Sequence, residues 1–194
     1  MIMVGISGTP STGKSTLARL ICSSCKSIPK IKTTELVSEY ARKYISKHGP
    51  MKEIWEQSRI LTRQLEWEDS VKNSTDLLVT DSPVHLSFLY SVDIEKKNEK
   101  DIMVFNDIFK ILSKLSKPNP RYDFIFHLPP VISPIKDNVR EEKQLNEMWR
   151  EESDSLIRSI FKIFPQKRFK VIQSLDINDR VTECLGYLSD YLKE

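Results

Sequence analysis

The segment from Gly8 to Ser15 is the feature that most restricts how this 194-residue chain can fold. Its sequence, GTPSTGKS, matches the pattern G-x-x-x-x-G-K-[S/T] at each fixed position. An apolar run over residues 1–6 predicts a buried strand before the segment, and residues 15–24 predict an amphipathic helix after it. This order of strand, loop and helix predicts a phosphate-binding loop.

Each fixed residue type in the loop suits a bound polyphosphate. Gly8 and Gly13 have no Cβ atom, so the loop can curl and bring backbone N–H groups against phosphate oxygens. Lys14 offers a mobile positive charge for the β- and γ-phosphates, and the Ser15 hydroxyl is a hard oxygen ligand suited to Mg²⁺. The predicted nucleotide contacts are the loop residues and the next one: Gly8, Thr9, Pro10, Ser11, Thr12, Gly13, Lys14, Ser15 and Thr16.

Apolar runs alternate with longer helical patterns along the chain, which is typical of an α/β domain with a mainly parallel sheet. The predicted strands are residues 1–6, 31–34, 77–80, 122–128 and 169–172. The predicted helices are residues 15–24, 37–47, 51–73, 103–115, 141–164 and 180–192, and residues 91–101 are predicted to be a solvated loop or helix edge. We therefore expect a single domain over residues 1–194, with a mainly parallel, five-stranded sheet flanked by helices.

The composition does not favour a nucleic-acid-binding or membrane protein. The net charge is +3 with 29% charged residues, whereas nucleic-acid-binding domains carry a stronger basic surplus. No stretch approaches the roughly 18 apolar residues that cross a membrane, and the apolar N-terminus lacks the basic start of a signal peptide. Cys22 and Cys25 have a C-x-x-C spacing but lie in a predicted helix without a second ligand pair. We interpret them as structural, and expect a reducing, cytoplasmic setting.

Asp81 directly follows the apolar run at residues 77–80. Because the carboxyl ends of parallel strands converge on one crevice, its carboxylate is expected beside the phosphate loop. There it would bind Mg²⁺ together with Ser15, or accept the proton of an acceptor hydroxyl. The alternative is a purely structural role, in which Asp81 caps a helix that starts near Ser82 and Pro83.

Several segments, in this order, resemble the NadR-type P-loop kinases, which include ribosylnicotinamide kinase domains. The resembling segments are residues 8–16, the sequence SEYARKY at residues 38–44, TDSP at 80–83, YD at 122–123 with LPP at 128–130, and DNVR at 137–140. The resemblance implies a P-loop NTPase fold of the nucleoside- and nucleotide-kinase type, with a doubly wound sheet. It also implies ATP as the phosphate donor and a nucleoside-like acceptor bound across the crevice.

The same resemblance implies a role for Glu39 in holding the acceptor or serving as its base, since a carboxylate there suits a ribose hydroxyl. The alternative is a solvated glutamate at a helix start. Tyr40 and Arg42 are weaker candidates that could simply pack or pair at the surface. The helical part at about residues 37–75 is expected to bind the acceptor.

A lid is expected at about residues 131–150, where Arg140 resembles the lid arginine of such kinases. A guanidinium delivered by a closing lid would stabilise the charge that develops on the transferred phosphoryl group. Asp137 is a candidate for fixing the lid or contacting the acceptor, and Arg150 is a second candidate arginine. Residues 176–180 lie where such kinases often touch the adenine.

Residues 51–117 show no diagnostic match, so the acceptor stays open among ribosylnicotinamide, a nucleoside and a nucleoside monophosphate. Trp55 and Trp67 are candidates for stacking on a base, although burial in the core is the favoured interpretation. Two other functions also stay open: a kinase acting on a modified base or end in DNA, and a nucleotide-hydrolysing regulatory switch. The sequence carries no signal for the oligomeric state.

Overall fold

A computed structural model describes residues 1–131, 133–134 and 142–193. Within them, five strands form one parallel sheet in the order β2-β3-β1-β4-β5. The strands are β1 (Ile2–Gly8), β2 (Thr34–Val37), β3 (Leu77–Thr80), β4 (Phe124–Leu128) and β5 (Phe169–Val171). Strands on both sides of β1 pair with it, so the sheet is doubly wound as predicted.

The helices cover both faces of the sheet. They are α1 (Lys14–Ser24), α2 (Tyr40–His48), α3 (Ile54–Val71), α4 (Leu86–Asp93), α5 (Glu99–Lys114), α6 (Glu147–Ile163) and α7 (Ile177–Tyr191). Short 3₁₀ turns occupy Cys25–Ser27 and Glu142–Leu145.

Alternation along β1 separates two apolar cores. Ile2, Val4 and Ile6 face a cluster with buried residues of α1 and α7. Met3 faces the opposite cluster, which contains residues of α3, α4, α5 and α6. Side chains of a strand point alternately to the two faces of its sheet, and a parallel sheet buries both faces. The carboxyl ends of the strands are thereby left as the open edge for a site.

The predicted strand at residues 31–34 is wrong in position, because β2 begins only at Thr34. The backbone N–H groups of Lys32 and Thr33 each donate to the Asp76 carboxylate at 2.9 Å instead of joining the sheet. Parallel pairing begins at Thr34, opposite Leu77. The apolar Ile31 that suggested the strand is buried in a turn, where its N–H donates to the carbonyl of Ile28.

Helix boundaries also differ where local caps outweigh the apolar pattern. The stretch at 91–101 is the end of α4 and the start of α5, because the Asn98 side chain accepts from Asp101 N–H and caps α5. Asn146 caps α6, so this helix starts later than predicted. Asp176 caps α7, which starts at Ile177, three residues earlier than predicted.

The two candidate tryptophans, Trp55 and Trp67, lie in different environments. Trp55 is 51% exposed, so its expected core position is wrong. Trp67 packs against the second core cluster and meets Tyr40 edge-on at 5.0 Å. Cys22 and Cys25 are free thiols, and the described residues include no group of His, Cys, Asp and Glu arranged to hold a metal. Within the same residues, the helices are too short or too polar to traverse a lipid bilayer.

Candidate active site

The turn between β1 and α1 has the backbone shape that its glycines permit. Gly8 has φ 143° and Gly13 has φ 90°, and both values lie in the region that side chains disfavour. A Cβ atom on Gly8 would lie 2.5 Å from the carbonyl oxygen of Leu128 in β4. Ser11, at φ 65°, also adopts a left-handed conformation. The loop is therefore curled back tightly against the end of the sheet.

Lys14 closes this curl from within the loop. Its Nζ donates to the carbonyls of Gly8 and Thr9 at 2.9 and 2.8 Å. The Thr12 hydroxyl donates to the same Thr9 carbonyl at 3.0 Å. The ammonium is thus held over the mouth of the loop, at the start of α1, where helix N–H groups and the helix dipole favour an anion.

One cavity of about 570 Å³ joins the phosphate loop to the two predicted carboxylates. Glu39 and Asp81 line it together with Lys14 and Ser15. Outside the loop and the two carboxylates, the lining is mixed. Its less polar members are Ala41, Ile45, Pro50, Met51, Leu86 and Tyr90, and its polar members are Arg19, Ser38, Arg42, Ser82 and Gln144. The structure therefore brings Glu39 and Asp81 to the same cavity as the phosphate loop, although the three are far apart in sequence.

Asp81 is 5% exposed, and its Oδ1 atom is buried without a hydrogen-bond partner among the described residues. It does not cap a helix, because α4 begins five residues later, at Leu86. A buried carboxylate oxygen without a partner is costly unless something binds it. Together with the Ser15 hydroxyl in the same cavity, this oxygen fits the hard-oxygen ligands that Mg²⁺ requires.

Glu39 occupies the N-cap position of α2, but its side chain makes no capping hydrogen bond. The side chain is 23% exposed and lines the cavity, and its Oε2 lies 3.8 Å from Nε of Arg42. Arg42 also lines the cavity, whereas Tyr40 packs on Trp67. Glu39 therefore lies at the start of α2, partly exposed, and is also part of the cavity wall.

Gln64, in the middle of α3, links the segments that carry the two carboxylates. Its Oε1 accepts from Tyr40 N–H at 2.9 Å, and its Nε2 donates to the Thr80 hydroxyl at 3.2 Å. Tyr40 follows Glu39, and Thr80 precedes Asp81. Gln64 was not predicted, since one glutamine on a polar helix carries no recognisable motif.

A buried cluster of Tyr122, Glu68 and Arg121 holds the loop that follows Asp81. The Tyr122 hydroxyl accepts from Val84 N–H at 2.9 Å and donates to Glu68 at 3.0 Å. Arg121 pairs with Glu68 at 2.8 Å. Burial raises the pKa of Glu68, against the opposing effect of the Arg121 charge. The loop is therefore positioned by side chains from α3 and from the residues before β4.

His85 ends this loop and is fully buried. Its Nε2 lies 3.1 Å from the Ser116 hydroxyl and 3.2 Å from Nε2 of Gln166. Burial lowers the pKa of His85 to about 3. The imidazole is therefore neutral at physiological pH, where it packs and hydrogen-bonds rather than adding charge to the site.

Gly5 allows the loop after Asp81 to lie directly over β1. A Cβ atom at position 5 would be 2.6 Å from Cγ of Pro83 and 2.8 Å from Cδ1 of Ile125. Pro83 belongs to the TDSP segment, so this contact sets how close that segment comes to the strand leading into the phosphate loop. The sequence analysis did not single out Gly5.

Below the phosphate loop, Ser7, His127 and Asp154 form a hydrogen-bonded chain. Nδ1 of His127 lies 3.0 Å from the Ser7 hydroxyl, and its Nε2 lies 2.8 Å from Asp154. Burial opposes ionisation of Asp154, but hydrogen bonds from His127 and Arg158 hold its pKa below the ordinary value. Ser7 and His127 are fully buried, so this arrangement connects β1, β4 and α6 and does not present a nucleophile.

The structure describes only some of the predicted lid residues. Arg140 and Asp137 lie outside the described residues. Arg150 is 2% exposed on α6 and lines a separate cavity of about 210 Å³, not the one at the phosphate loop. From the predicted lid range, Gln144 lines the main cavity.

The segment at residues 176–180 is tied to the phosphate loop. Asp176 accepts from the N–H groups of Asn178 and Asp179 and caps α7. The Arg180 side chain is buried, and its Nη1 donates to the carbonyl of Thr12 at 2.9 Å. Arg180 therefore contacts the back of the phosphate loop.

A protein-family model described as an AAA domain matches residues 3–180, which is most of the chain. The chain belongs to this AAA domain family. The match runs from β1, through the phosphate loop and both carboxylates, to Arg180 in α7. No curated protein sequence matches this AAA domain protein.

Solved structures with the same fold include nucleoside and nucleotide kinases. A NadR protein in complex with NR superposes with a TM-score of 0.76 at 19% identity, covering 98% of this chain and 51% of that chain. Deoxyadenosine kinase from M. mycoides, with dCMP and dCDP as products, gives 0.65 at 17%, covering 97% and 100%. Thymidylate kinase from Candida albicans gives 0.66 at 14%, covering 98% and 92%.

This AAA domain protein spans about half the length of the NadR chain. At these identities the likeness establishes the fold. The expected P-loop NTPase fold of the nucleoside- and nucleotide-kinase type, and its resemblance to NadR, are confirmed.

Proposed function

We propose that this AAA domain protein is a kinase that transfers the γ-phosphate of ATP to a hydroxyl or phosphate of a nucleoside-like small molecule. The observation that carries the proposal is the single cavity in which Glu39 and Asp81 face the phosphate loop. A protein that only hydrolyses nucleotides needs the loop and a metal ligand. A second carboxylate, and apolar residues within the mixed wall of the same cavity, suit an acceptor.

On the donor side, loop N–H groups, the start of α1 and Lys14 bind the phosphate oxygens. Ser15 and Asp81 would hold Mg²⁺, which when bound neutralises charge on the β- and γ-phosphates. Holding the polyphosphate at fixed dipoles accounts for much of the catalysis expected in phosphoryl transfer, because the transition state spreads negative charge over its oxygens.

On the acceptor side, Glu39 or Asp81 orients the acceptor hydroxyl and takes its proton. The acceptor oxygen forms a bond to the γ-phosphorus as the bond to the β–γ bridging oxygen breaks, and ADP leaves with that electron pair. For a phosphate acceptor, its anionic oxygen attacks directly. Arg140, within the proposed lid at residues 131–150, would stabilise the transferred group.

The mixed wall favours a nucleoside-like acceptor. Apolar residues such as Ile45, Met51 and Leu86 offer surface to a base or similar ring, and Glu39 offers a carboxylate to a ribose hydroxyl. The fold relatives named above include a NadR protein with NR and two kinases named for nucleoside or nucleotide substrates.

The test is phosphoryl transfer by Lys14→Ala measured against a panel of nucleosides and nucleoside monophosphates, including ribosylnicotinamide. We expect the rate to fall by roughly two orders of magnitude or more, because the loss of the ammonium removes charge stabilisation at the reacting phosphate. Lys110→Ala is the matched control, since Lys110 is an exposed residue paired with Asp107 on α5.

Three outcomes would contradict the proposal. Equal transfer by Lys14→Ala and the wild type would show that the loop does not hold the donor. ATP or GTP hydrolysis that no acceptor stimulates would instead indicate a regulatory switch. Transfer to DNA, with binding that weakens steeply as salt rises, would move the acceptor from small molecules to nucleic acid.

A further inference from the structure

Arg180 is a buried cation without a carboxylate partner. The residue is 1% exposed, and no Asp or Glu of the described residues lies within 4 Å of its nitrogens. Its Nε donates to the carbonyl of Ser174 at 2.6 Å and its Nη1 to the carbonyl of Thr12 at 2.9 Å. Its Nη2 is buried, and within the part of the chain that the structure describes it has no hydrogen-bond partner. Buried cations are normally paired, so this one indicates a negative charge from elsewhere.

The phosphate loop is the element that Arg180 contacts. A Cβ atom on Gly13 would lie 3.5 Å from Nη1, so the guanidinium packs directly behind residues 12 and 13. In a trans peptide the C=O and N–H groups point in opposite directions. Because Arg180 holds the Thr12 carbonyl from behind, the N–H of Gly13 is directed away from Arg180. Gly13 is one of the residues that line the cavity.

A cation on the carbonyl of a peptide also polarises its N–H group and makes it a stronger donor. Burial lowers the pKa of Arg180 from its ordinary value. The nearby Cys184 and Glu183 act in the opposite direction but do not offset the effect of burial. An arginine keeps its proton even so, because a guanidinium is not deprotonated in proteins. The positive charge behind the loop is therefore always present and fixed in position, whereas the flexible side chain of Lys14 can move.

We propose that Arg180 is a positioning residue of the donor site, which fixes the Thr12–Gly13 peptide and adds a permanent positive charge behind the phosphate loop. The proposal rests on the proposed binding of ATP at this loop. A bound polyphosphate supplies the negative charge that the buried guanidinium lacks. Arg180 therefore favours ligands with phosphates over the bare nucleoside, and it does so without touching the ligand.

The test measures the Kd values of ATP, ADP and adenosine by calorimetry, with Mg²⁺ present, for the wild type and Arg180→Gln. We expect the variant to bind ATP and ADP roughly tenfold more weakly and adenosine less than about twofold more weakly. Arg63→Gln, at an exposed arginine of α3 paired with Glu66, should leave all three Kd values unchanged. A purely structural role would weaken the three ligands alike and would overturn the proposal.

Arg180→Lys covers the case in which Arg180→Gln does not fold. Lysine keeps the charge but reaches fewer carbonyls, so we expect ATP to bind about threefold more weakly, with adenosine again nearly unchanged. Wild-type affinity for ATP, or an equal loss for adenosine, would contradict the proposal. If the wild type itself did not bind ATP, the proposed function would fail, and this would be distinct from wild-type binding that is insensitive to Arg180.

Discussion

The donor half and the acceptor half of the cavity are built in different ways. The proposed donor half is one continuous turn, Gly8 to Ser15, whose backbone shape depends on the positive φ values of two glycines. The acceptor half depends on side chains from separate helices and loops, with Gln64 holding Tyr40 and Thr80. A local turn can be recognised in a sequence, whereas a set of distant side chains needs the fold to bring it together.

Among the changes proposed for the cavity wall, substitution of Asp81 should have the largest effect on kcat. Asp81 lies between the proposed donor and acceptor halves of the cavity. Asp81→Asn should lower kcat roughly a hundredfold, about 2.7 kcal/mol, because it removes the carboxylate proposed to hold Mg²⁺. The free energy of unfolding should stay the same or rise, since a buried oxygen without a partner contributes nothing to stability. Steady-state kinetics and urea unfolding measure both.

Asp107→Asn is the control for this change, because Asp107 is exposed and pairs only with Lys110. It should leave both quantities within error. Loss of stability in Asp81→Asn without loss of turnover would show that Asp81 belongs to the framework and not to the site.

Gly5→Ala tests whether the donor strand sets the position of the acceptor-side loop. The new methyl group would overlap Pro83, so we expect a loss of about 2 kcal/mol in unfolding free energy. The acceptor KM should rise while the Kd for ATP changes little. Gly186→Ala is the matched control, because a methyl group there meets nothing within 4 Å, and in the middle of α7 it should stabilise by up to about 1 kcal/mol. Equal effects of the two variants would show that the contact with Pro83 is unimportant.

Glu39→Gln has the smallest expected effect. It should change a constant for the acceptor without changing the affinity for ATP, and so distinguishes the proposed acceptor half from the proposed donor half. We expect kcat/KM for the acceptor to fall roughly tenfold, about 1.4 kcal/mol, because a charged hydrogen bond becomes a neutral one. The Kd for ATP should not change. Glu35→Gln, at an exposed position of β2, should leave both constants as they are. A weaker Kd for ATP in Glu39→Gln would place this glutamate on the donor side instead.

Most of the sheet was predictable because its strands are continuous apolar runs between polar loops. β3 was predicted to the residue, and β1, β4 and β5 to within two residues at each end. β2 was misplaced because the Asp76 carboxylate binds the backbone of Lys32 and Thr33, a contact made by a residue over 40 positions away. α4 was missed as a defined element, since its start at Leu86 has no side-chain cap.

The residues of the candidate site also divide into those that the sequence predicts and those that it does not. Lys14, Ser15 and Asp81 were predicted from a local motif and from the end of an apolar strand, and the structure places all three in one cavity. Glu39 came from a family resemblance and also lies there. Gln64, Tyr122 and Gly5 act through packing and hydrogen bonds to distant residues, so no local pattern marks them. Arg140 remains a prediction.

The chain of Ser7, His127 and Asp154 has a mechanical consequence for α6. Asp154 lies on the second turn of this helix, and through His127 it is joined to the residue just before Gly8. The amino-terminal part of α6 is therefore held by a chain of hydrogen bonds to β1, the strand that leads into the phosphate loop, and to the neighbouring strand β4.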